Sequence, residues 1–291
     1  MKYVTYEYAG ERNVGLIGTS ADKIVPASVL GYDVKDMTAL IRALNGATPS
    51  DLLGRVDAAE GVALSECRLL APIPEPAQDV LCMGVNYHAH RAETVKAGIS
   101  YDDTRATTIY FSKRVNYAPG HSAVIDGHFD ICDSLDYEVE LAVILGRDAK
   151  GVPIDRVRDY IFGYTIVNDI SARNLQKKHQ QWYFGKSLDD FTPMGPWIVE
   201  RDALSWPPET GIRCYVNDEL RQNSNTNCLM NGIDYVVSEL SRGMTLKAGT
   251  IIATGTPAGV GMGMDPQVWL QKGDVVRCEI DGIGILENTI G

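Results

Sequence analysis

Carboxylates alternate along one strand-like segment of the sequence, an arrangement suited to holding a cation. Asp136, Glu138 and Glu140 stand at every second position. Because side chains of a strand alternate between its faces, the three carboxylates share a face, which continues with Ala142 and Ile144. Like charges leading into an apolar face are costly unless a cation or hydrogen-bonding partners neutralise them. The pattern is compatible with a metal site, but alternation alone favours the other interpretation, an edge strand whose acidic end reaches water.

A further carboxylate follows a second apolar segment. Residues 161–167 are typical of a buried strand, and Asp169 comes directly after it. If a helix starts near residue 170, then Asp169, Arg173 and Gln176 lie on one of its faces. The alternative for Asp169 is a helix N-cap. Two glutamates and this aspartate would form an all-oxygen site, which suits Mg²⁺ or Mn²⁺ rather than zinc and leaves positions open for water and a chelating substrate.

A histidine and a glutamate three residues apart are suited to activating water. His90 and Glu93 are neighbours on a helix predicted to start near Tyr87, so the carboxylate can orient the imidazole and raise its basicity. On this spacing alone, however, a surface helix with an unrelated polar pair is the favoured interpretation. Gly98 is expected to end this helix, and a helix so short, placed after a loop, can act as a mobile lid.

Glycine-rich segments do not support nucleotide binding. Gly185, Lys186 and Ser187 resemble the end of a phosphate-binding loop, but Gln180 stands where that pattern requires glycine. Residues 255–263 contain no G-x-G-x-x-G pattern. Their glycines either let backbone amides approach an anionic ligand or shape a tight turn.

The composition excludes several classes of protein. The 291 residues carry 27 Lys+Arg against 38 Asp+Glu, a formal net charge of −11. Nucleic acids and anionic membranes attract basic faces, so neither is an expected partner. Hydrophobic residues at 45% and charged residues at 22% are typical of globular proteins. Without a signal-peptide core or a C-x-x-C motif, we expect a cytoplasmic protein with free, buried cysteines.

The elements that position these residues are predicted to be mainly strands. Alternate prolines in residues 71–76 mark a boundary between a small N-terminal domain, residues 1–70, and a catalytic domain, residues 71–291. The first contains a hairpin pattern over residues 3–17 and a helix pattern over residues 37–44. In the second, strand patterns occupy residues 79–83, 108–111, 137–145, 161–167, 197–199, 212–216, 250–254, 274–280 and 283–289.

The last two of these strands flank Asp281 and Gly282, which predict a two-residue hairpin turn. Only three helices are predicted after residue 76, starting near Tyr87, Ile170 and Gly232. Regular alternation of strands and helices is missing. The sequence therefore predicts an antiparallel or mixed β core with helices at its edge.

Taken together, these segments resemble the fumarylacetoacetate hydrolase superfamily. The matching stretches follow the family's order over residues 70–291: Gly84 to Tyr87 with His90 and Glu93, then residues 136–141, 168–173, 186–196, 216–222 and 254–261. The ordered set is more specific than any single motif. The resemblance implies a β-dominated α+β fold, in which a mixed β-roll or sandwich domain follows a small N-terminal α/β domain, usually in a homodimer.

By position, the resemblance also implies a role for each candidate residue. Glu138, Glu140 and Asp169 are expected to bind Mg²⁺ or Mn²⁺. The expected catalytic residues are His90 and Glu93, as a water-activating dyad on a lid, and Lys186. The expected substrate-binding residues, which would hold carboxylate and oxo oxygens, are Arg173, Gln176, Lys186 and Thr256.

The resemblance restricts the chemistry more than the substrate, a small anionic 2-oxo or β-diketo acid. Members of the superfamily include acylpyruvate and fumarylacetoacetate hydrolases, oxaloacetate decarboxylases, and isomerases of aromatic-compound catabolism. The dyad favours metal-dependent hydrolysis of a C–C bond in an acylpyruvate-like β-diketo acid, through a metal-stabilised enolate. Decarboxylation or isomerisation of oxaloacetate or a related 2-oxo acid is the alternative. A non-catalytic oxo-acid-binding protein is a more remote one.

Overall fold

A computed structural model describes residues 1–96 and 108–291, and it has the expected mixed α+β architecture. The strands are β1 (Lys2–Tyr8), β2 (Glu11–Ile17), β3 (Lys23–Pro26), β4 (Val62–Ala63), β5 (Arg68–Leu69), β6 (Val80–Gly84), β7 (Ile109–Lys113), β8 (Val124–Ile125), β9 (Leu135–Asp136), β10 (Val139–Leu145), β11 (Ile161–Asn168), β12 (Ser171–Ala172), β13 (Met194–Glu200), β14 (Gly211–Val216), β15 (Glu219–Asn225), β16 (Ile251–Ala253), β17 (Val275–Ile280) and β18 (Gly284–Ile290). The helices are α1 (Met37–Ala43), α2 (Leu52–Ala58), α3 (His88–Lys96), α4 (Arg173–Lys178), α5 (Tyr183–Lys186) and α6 (Ile233–Gly243). Gly98, predicted to end the third helix, lies outside the described residues.

The strands form two main sheets. The larger one has 11 strands in the order β4-β3-β2-β1-β13-β11-β10-β16-β6-β7, with β5 also paired to β1. The second has five strands in the order β15-β14-β17-β18-β8, and β9 pairs with β12 in a short ribbon. Most neighbours are antiparallel, while β6 with β16 and β8 with β18 are parallel. The sheets are therefore mixed, as predicted.

The alternation of β10 decides which core each of its faces joins. Val139, Leu141 and Val143 belong to the hydrophobic cluster that includes inward side chains of β14 and β17. Ala142 and Ile144, on the opposite face, belong to the cluster that includes side chains of α1. The predicted acid-bearing face of β10 thus continues into a second apolar core, and the edge-strand alternative is wrong because β10 lies between β11 and β16.

The N-terminal region continues the large sheet. Strand β1 pairs with β13, with Tyr3 opposite Ile198. Residues 71–74 of the proline-rich segment that follows the region are buried, and Thr5 Oγ1 donates to the Pro72 carbonyl oxygen at 2.7 Å. The predicted hairpin is present as β1 and β2, and the helix predicted over residues 37–44 is α1. The domain boundary at residue 70 stays a prediction.

Two local predictions are wrong. Helix α4 begins at Arg173 with Ala172 as its N-cap, so Asp169 is neither on that helix nor its cap. The reason is that Ser171 pairs with Asp136 of β9, which keeps residues 171–172 extended. The hairpin between β17 and β18 has three loop residues rather than two, because Ile280 pairs with Gly284.

The cysteines are free, as predicted, but only some of them are buried. All six cysteines are free, and four of them are buried, whereas Cys67 is half-buried and Cys228 is exposed. Within residues 1–96 and 108–291, no helix combines the length and the apolar character needed to cross a membrane.

Candidate active site

Three buried carboxylates converge where β10 and β11 meet. One carboxylate oxygen from each of Glu138, Glu140 and Asp169 lies within 4.8 Å of the others. The backbone holds them in this arrangement, because Asp169 donates its N–H to the Glu138 carbonyl oxygen at 2.8 Å. Asn168 Oδ1 accepts the Glu138 N–H at 3.0 Å. The predicted metal-binding residues are therefore brought together by the antiparallel pairing of two strands, and not by a shared helix.

Two cationic side chains contact Glu138, one at each of its oxygens. Arg173 Nη2 lies 2.5 Å from Oε1, and Lys186 Nζ lies 2.8 Å from Oε2. Burial by itself raises the pKa of Glu138, but the charges of Lys186 and Arg173 outweigh it and lower that pKa below its usual range. Glu138 is thus held as a carboxylate, the form that can bind a metal ion.

Asp169 contacts two lysines. Lys186 Nζ lies 2.7 Å from Oδ2, and Lys113 Nζ donates to Oδ1. Lys113 also donates to the Ile170 carbonyl oxygen at 3.0 Å, which fixes its ammonium group behind the carboxylate cluster. Sequence analysis missed Lys113. Its only signal was a lysine at the end of an apolar strand pattern, and such a lysine is ordinarily a solvent-facing residue.

Glu140 differs from the other two acids because it forms no ion pair within the described residues. Its Oε2 accepts the backbone N–H of Gly255 at 2.8 Å. Burial, together with the nearby charges of Asp169 and Glu138, raises its pKa well above the usual range. Asp136, which pairs with Arg173, is a fourth carboxylate. The described part of the site thus holds four carboxylates and three cationic side chains, Lys113, Arg173 and Lys186. The excess negative charge and the all-oxygen donor set fit a hard divalent cation such as Mg²⁺ or Mn²⁺.

Arg173 and Gln176 lie in the first turn of α4. Arg173 Nε lies 2.9 Å from Asp136 Oδ2, and its Nη1 donates to Gln176 Oε1 at 3.0 Å. Charge from Glu138 and Asp136 overcomes the effect of burial and raises the pKa of Arg173 further. Both Arg173 and Lys186 keep N–H groups beyond those used in these contacts, so both can still bind an anion.

The predicted dyad is formed in α3. His90 Nδ1 and Glu93 Oε2 lie 2.9 Å apart, and His90 is buried. Glu93 Oε1 accepts a second hydrogen bond, from the backbone N–H of Gly259 at 3.0 Å. The surface-helix alternative is wrong for this pair, since His90 lines the same cavity as the carboxylates.

The glycine-rich segment, residues 255–263, lies beside the dyad and the carboxylates; we call it the glycine loop. Thr256 belongs to it and is buried. Its hydroxyl donates to the Val139 carbonyl oxygen at 2.9 Å and accepts from Gln222 Nε2 at 2.7 Å. The Thr256 hydroxyl hydrogen is thus already used within the protein. Gln222, whose part in this network the sequence analysis did not foresee, connects the five-stranded sheet to the site.

A small cavity of about 20 Å³ lies at the centre of these residues. Its walls include seven of the predicted site residues, His90, Glu138, Glu140, Arg173, Gln176, Lys186 and Thr256. Apolar side chains, among them Met83, Phe111, Trp182 and Met262, complete the walls. Asp169 and Glu93 lie behind this lining and act on it through Lys186 and His90.

Several known proteins are similar to this chain in sequence and in fold. The family model for the C-terminal region of fumarylacetoacetate (FAA) hydrolase matches residues 79–291. Oxaloacetate tautomerase YisK from Bacillus subtilis (strain 168) is 42% identical over 229 residues, which cover 79% of this chain and 75% of that protein.

Two solved structures extend the comparison to the whole chain. Fumarylacetoacetate hydrolase from the psychrophile Exiguobacterium antarcticum superposes with a TM-score of 0.85 at 36% identity, covering 100% of this chain and 99% of that one. Maleylpyruvate hydrolase from Sphingobium sp. SYK-6, solved with manganese(II) and pyruvate, superposes with a TM-score of 0.77 at 29% identity, covering 100% and 98%.

Proposed function

Because the chain belongs to the fumarylacetoacetate hydrolase superfamily, we propose that it is a divalent-metal-dependent enzyme that forms the enolate of a small 2-oxo acid. The first candidate reaction is keto–enol tautomerisation of oxaloacetate or a closely related acid. The observation that carries the proposal is the placement of the His90–Glu93 dyad in the same cavity wall as Glu138 and Glu140.

The cationic side chains that line the cavity would bind the substrate. Arg173 and Lys186 line the cavity and retain free N–H groups, so they can hold the carboxylate and the oxo oxygen of a 2-oxo acid. Glu138, Glu140 and Asp169 would hold the metal ion. When bound, a divalent cation would polarise the two oxygens of a 2-oxo acid, stabilise the enolate and reverse the excess negative charge of the site.

The dyad provides proton transfer. Glu93 holds His90 by its Nδ1, which leaves Nε2 as the nitrogen that can exchange a proton with C3 of the substrate. Burial of His90 excludes bulk water from that nitrogen. The small cavity and the two cations that line it, Arg173 and Lys186, favour a compact anionic acid such as oxaloacetate, and the similarity to oxaloacetate tautomerase points the same way.

Hydrolysis of a C–C bond in an acylpyruvate-like β-diketo acid is the second candidate. The same dyad can remove a proton from water for attack on the distal carbonyl group. The similarity to maleylpyruvate hydrolase supports this candidate, since that structure contains manganese(II) and pyruvate. Decarboxylation of oxaloacetate needs the stabilised enolate but no attack by water, so it depends least on the dyad.

The test is a panel of oxaloacetate and acylpyruvates, assayed with Mg²⁺ and with Mn²⁺ and followed by enol absorbance and product identity. We expect turnover that disappears after chelation and in Glu138→Gln. Glu93→Gln should abolish tautomerisation and hydrolysis but spare decarboxylation. Turnover that persisted undiminished in metal-free Glu138→Gln would contradict the proposal. Mn²⁺-dependent binding of oxalate without turnover of any panel member would favour the oxo-acid-binding protein instead.

The predicted homodimer is part of the same proposal. Light scattering of the purified chain checks it, and a mass of one chain at assay concentrations would contradict it.

A further inference from the structure

The backbone amides of the glycine loop bind anions, and these anions are carboxylates of the chain itself. The N–H groups of Gly255, Gly259, Gly261 and Met262 donate to Glu140, Glu93, Asp136 and again Asp136. One loop thus holds one acid of the carboxylate cluster, one acid of the dyad and one acid that contacts Arg173. Sequence analysis left open whether these glycines let amides approach an anionic ligand or shape a turn; the acceptors in the structure are side chains of the chain itself, so the prediction of a ligand stays a prediction.

Asp136 is the carboxylate with the most donors in this network. Its Oδ1 accepts the N–H of Gly261 at 2.7 Å and its own neighbour's N–H, that of Tyr137, at 3.0 Å. Its Oδ2 accepts the N–H of Met262 at 3.0 Å and Nε of Arg173 at 2.9 Å. The side chain is fully buried. Asp136 therefore joins the glycine loop to Arg173 through one rigid group.

The other end of the glycine loop contacts helix α3, which carries His90 and Glu93. Besides the hydrogen bond from Gly259 to Glu93, a Cβ added at Gly263 would lie 2.0 Å or less from three atoms of the Glu93 side chain. Gly259 has a φ of 107°, and a Cβ there would lie 2.0 Å from the Arg221 carbonyl oxygen. The loop therefore fits between fixed groups on both sides and connects Asp136 to Glu93 by direct contacts.

We infer that Asp136 is a positioning residue that couples Arg173 to the His90–Glu93 dyad through the glycine loop. The inference rests on the proposed function for the roles of Arg173 and of the dyad. Asp136 contacts neither the cavity nor the cluster that would bind metal, so it acts only through its neighbours. Binding of a substrate carboxylate by Arg173 and the observed packing of α3 against the glycine loop then favour each other, as reciprocal coupling requires.

The test is hydrogen exchange of Asp136→Asn in the full chain without substrate. Asparagine keeps the size of the aspartate side chain. Its amide N–H group, however, would face N–H groups that donate hydrogen bonds to the carboxylate in wild type. We expect the backbone amides of α3 to exchange faster by on the order of tenfold. The affinity for Mn²⁺ alone should stay within about threefold of wild type. This change is well under the roughly 10–100-fold loss that is typical when a group supporting a metal ligand is removed. Asp148→Asn is the matched control, because Asp148 also accepts a backbone N–H and pairs with a cation, Lys247, but at the surface.

Tyr137→Phe is the second variant, because its phenol donates to the Gly259 carbonyl oxygen at 2.9 Å. It loosens the same loop without touching a charge, so it should accelerate exchange of α3 in the same direction and to a smaller extent. Faster exchange confined to residues 261–262, or spread evenly over the chain in both variants, would overturn the inference. Exchange does not depend on turnover, so failure of the oxo-acid assays would leave this result interpretable.

Discussion

Lys113 and Asp169 form an ion pair in which neither side chain is exposed to solvent. The pair joins β7, at one edge of the large sheet, to the end of β11. A buried charge is tolerated only when it is paired and hydrogen-bonded, and Lys113 meets this condition through Asp169 and the Ile170 carbonyl oxygen. The site thus contains a buried lysine that does not line the cavity; burial lowers the pKa of Lys113, and the charge of Asp169 opposes this shift.

Replacing Lys113 with methionine should destabilise the protein by about 3–5 kcal/mol in the presence of chelator, because it leaves the buried Asp169 without this partner. Urea unfolding measures the loss, and added Mg²⁺ should recover part of it. In the control Lys247→Met, the pair with Asp148 has side chains about half exposed, so we expect a loss below about 1 kcal/mol. Equal losses in the two variants would contradict the assigned role of Lys113.

Glu140→Gln should separate metal binding from stability. Glu140 has no ion pair within the described residues, and burial and neighbouring carboxylates raise its pKa, so a neutral isostere removes repulsion. We expect the free energy of unfolding in chelator to stay the same or rise. The affinity for Mn²⁺, measured by titration calorimetry, should fall at least about 100-fold. Metal affinity equal to that of wild type would show that Glu140 does not bind the ion.

Gly263→Ala should disturb the dyad without unfolding the chain. The new Cβ would lie 2.0 Å or less from three atoms of the Glu93 side chain in its observed position. Glu93 must therefore move away from His90. We expect kcat for the dyad-dependent reaction to fall by about 10²–10⁴-fold, the usual contribution of general acid–base catalysis, with decarboxylation retained.

Gly54→Ala is the matched control for that variant, since a Cβ at this position in α2 meets nothing within 4 Å. Alanine should raise the free energy of unfolding by about 0.5–1 kcal/mol, because glycine inside a helix is entropically costly, and should leave kcat unchanged. Normal kcat in Gly263→Ala would show that Glu93 does not need its observed position.

The stability of the fold should depend on His121 at mildly acidic pH. Burial lowers the pKa of His121 below the ordinary 6.5, although Glu287 opposes this, and its Nδ1 accepts the Glu287 N–H. The unfolded chain therefore binds the proton more readily. The contribution of neutral His121 is fully present above about pH 6.5 and is lost as the pH falls through its folded pKa, with a slope of at most about 1.4 kcal/mol per pH unit.

Urea unfolding of His121→Gln and wild type across about pH 5 to 8 measures this term as the difference between two curves. The variant should lose less free energy of unfolding than wild type on acidification. At the alkaline end, the difference in free energy of unfolding between the two proteins should stay constant. Parallel curves over the whole range would exclude His121 as the cause.

The features that could be predicted from the sequence are those encoded by short spacings. Alternation placed Glu138 and Glu140 on one face, and a spacing of three placed Glu93 beside His90. The partners of these acids come from far along the chain: Lys113 is 56 positions from Asp169, and Gly259 is 166 positions from Glu93. No local pattern encodes such pairs. Helix α4 was placed too early because a two-residue strand pairing, Ser171 with Asp136, overrides the helical preference of the segment.

The pairing of β1 with β13 determines how far the chain can be shortened. A chain cut at the start of the matched family region, residue 79, would lose β1 and leave β13 as an open sheet edge next to a core that α1 no longer covers. An uncovered strand edge is a template for joining other chains. The first 70 residues therefore close a sheet edge that residues 79–291 by themselves would leave exposed.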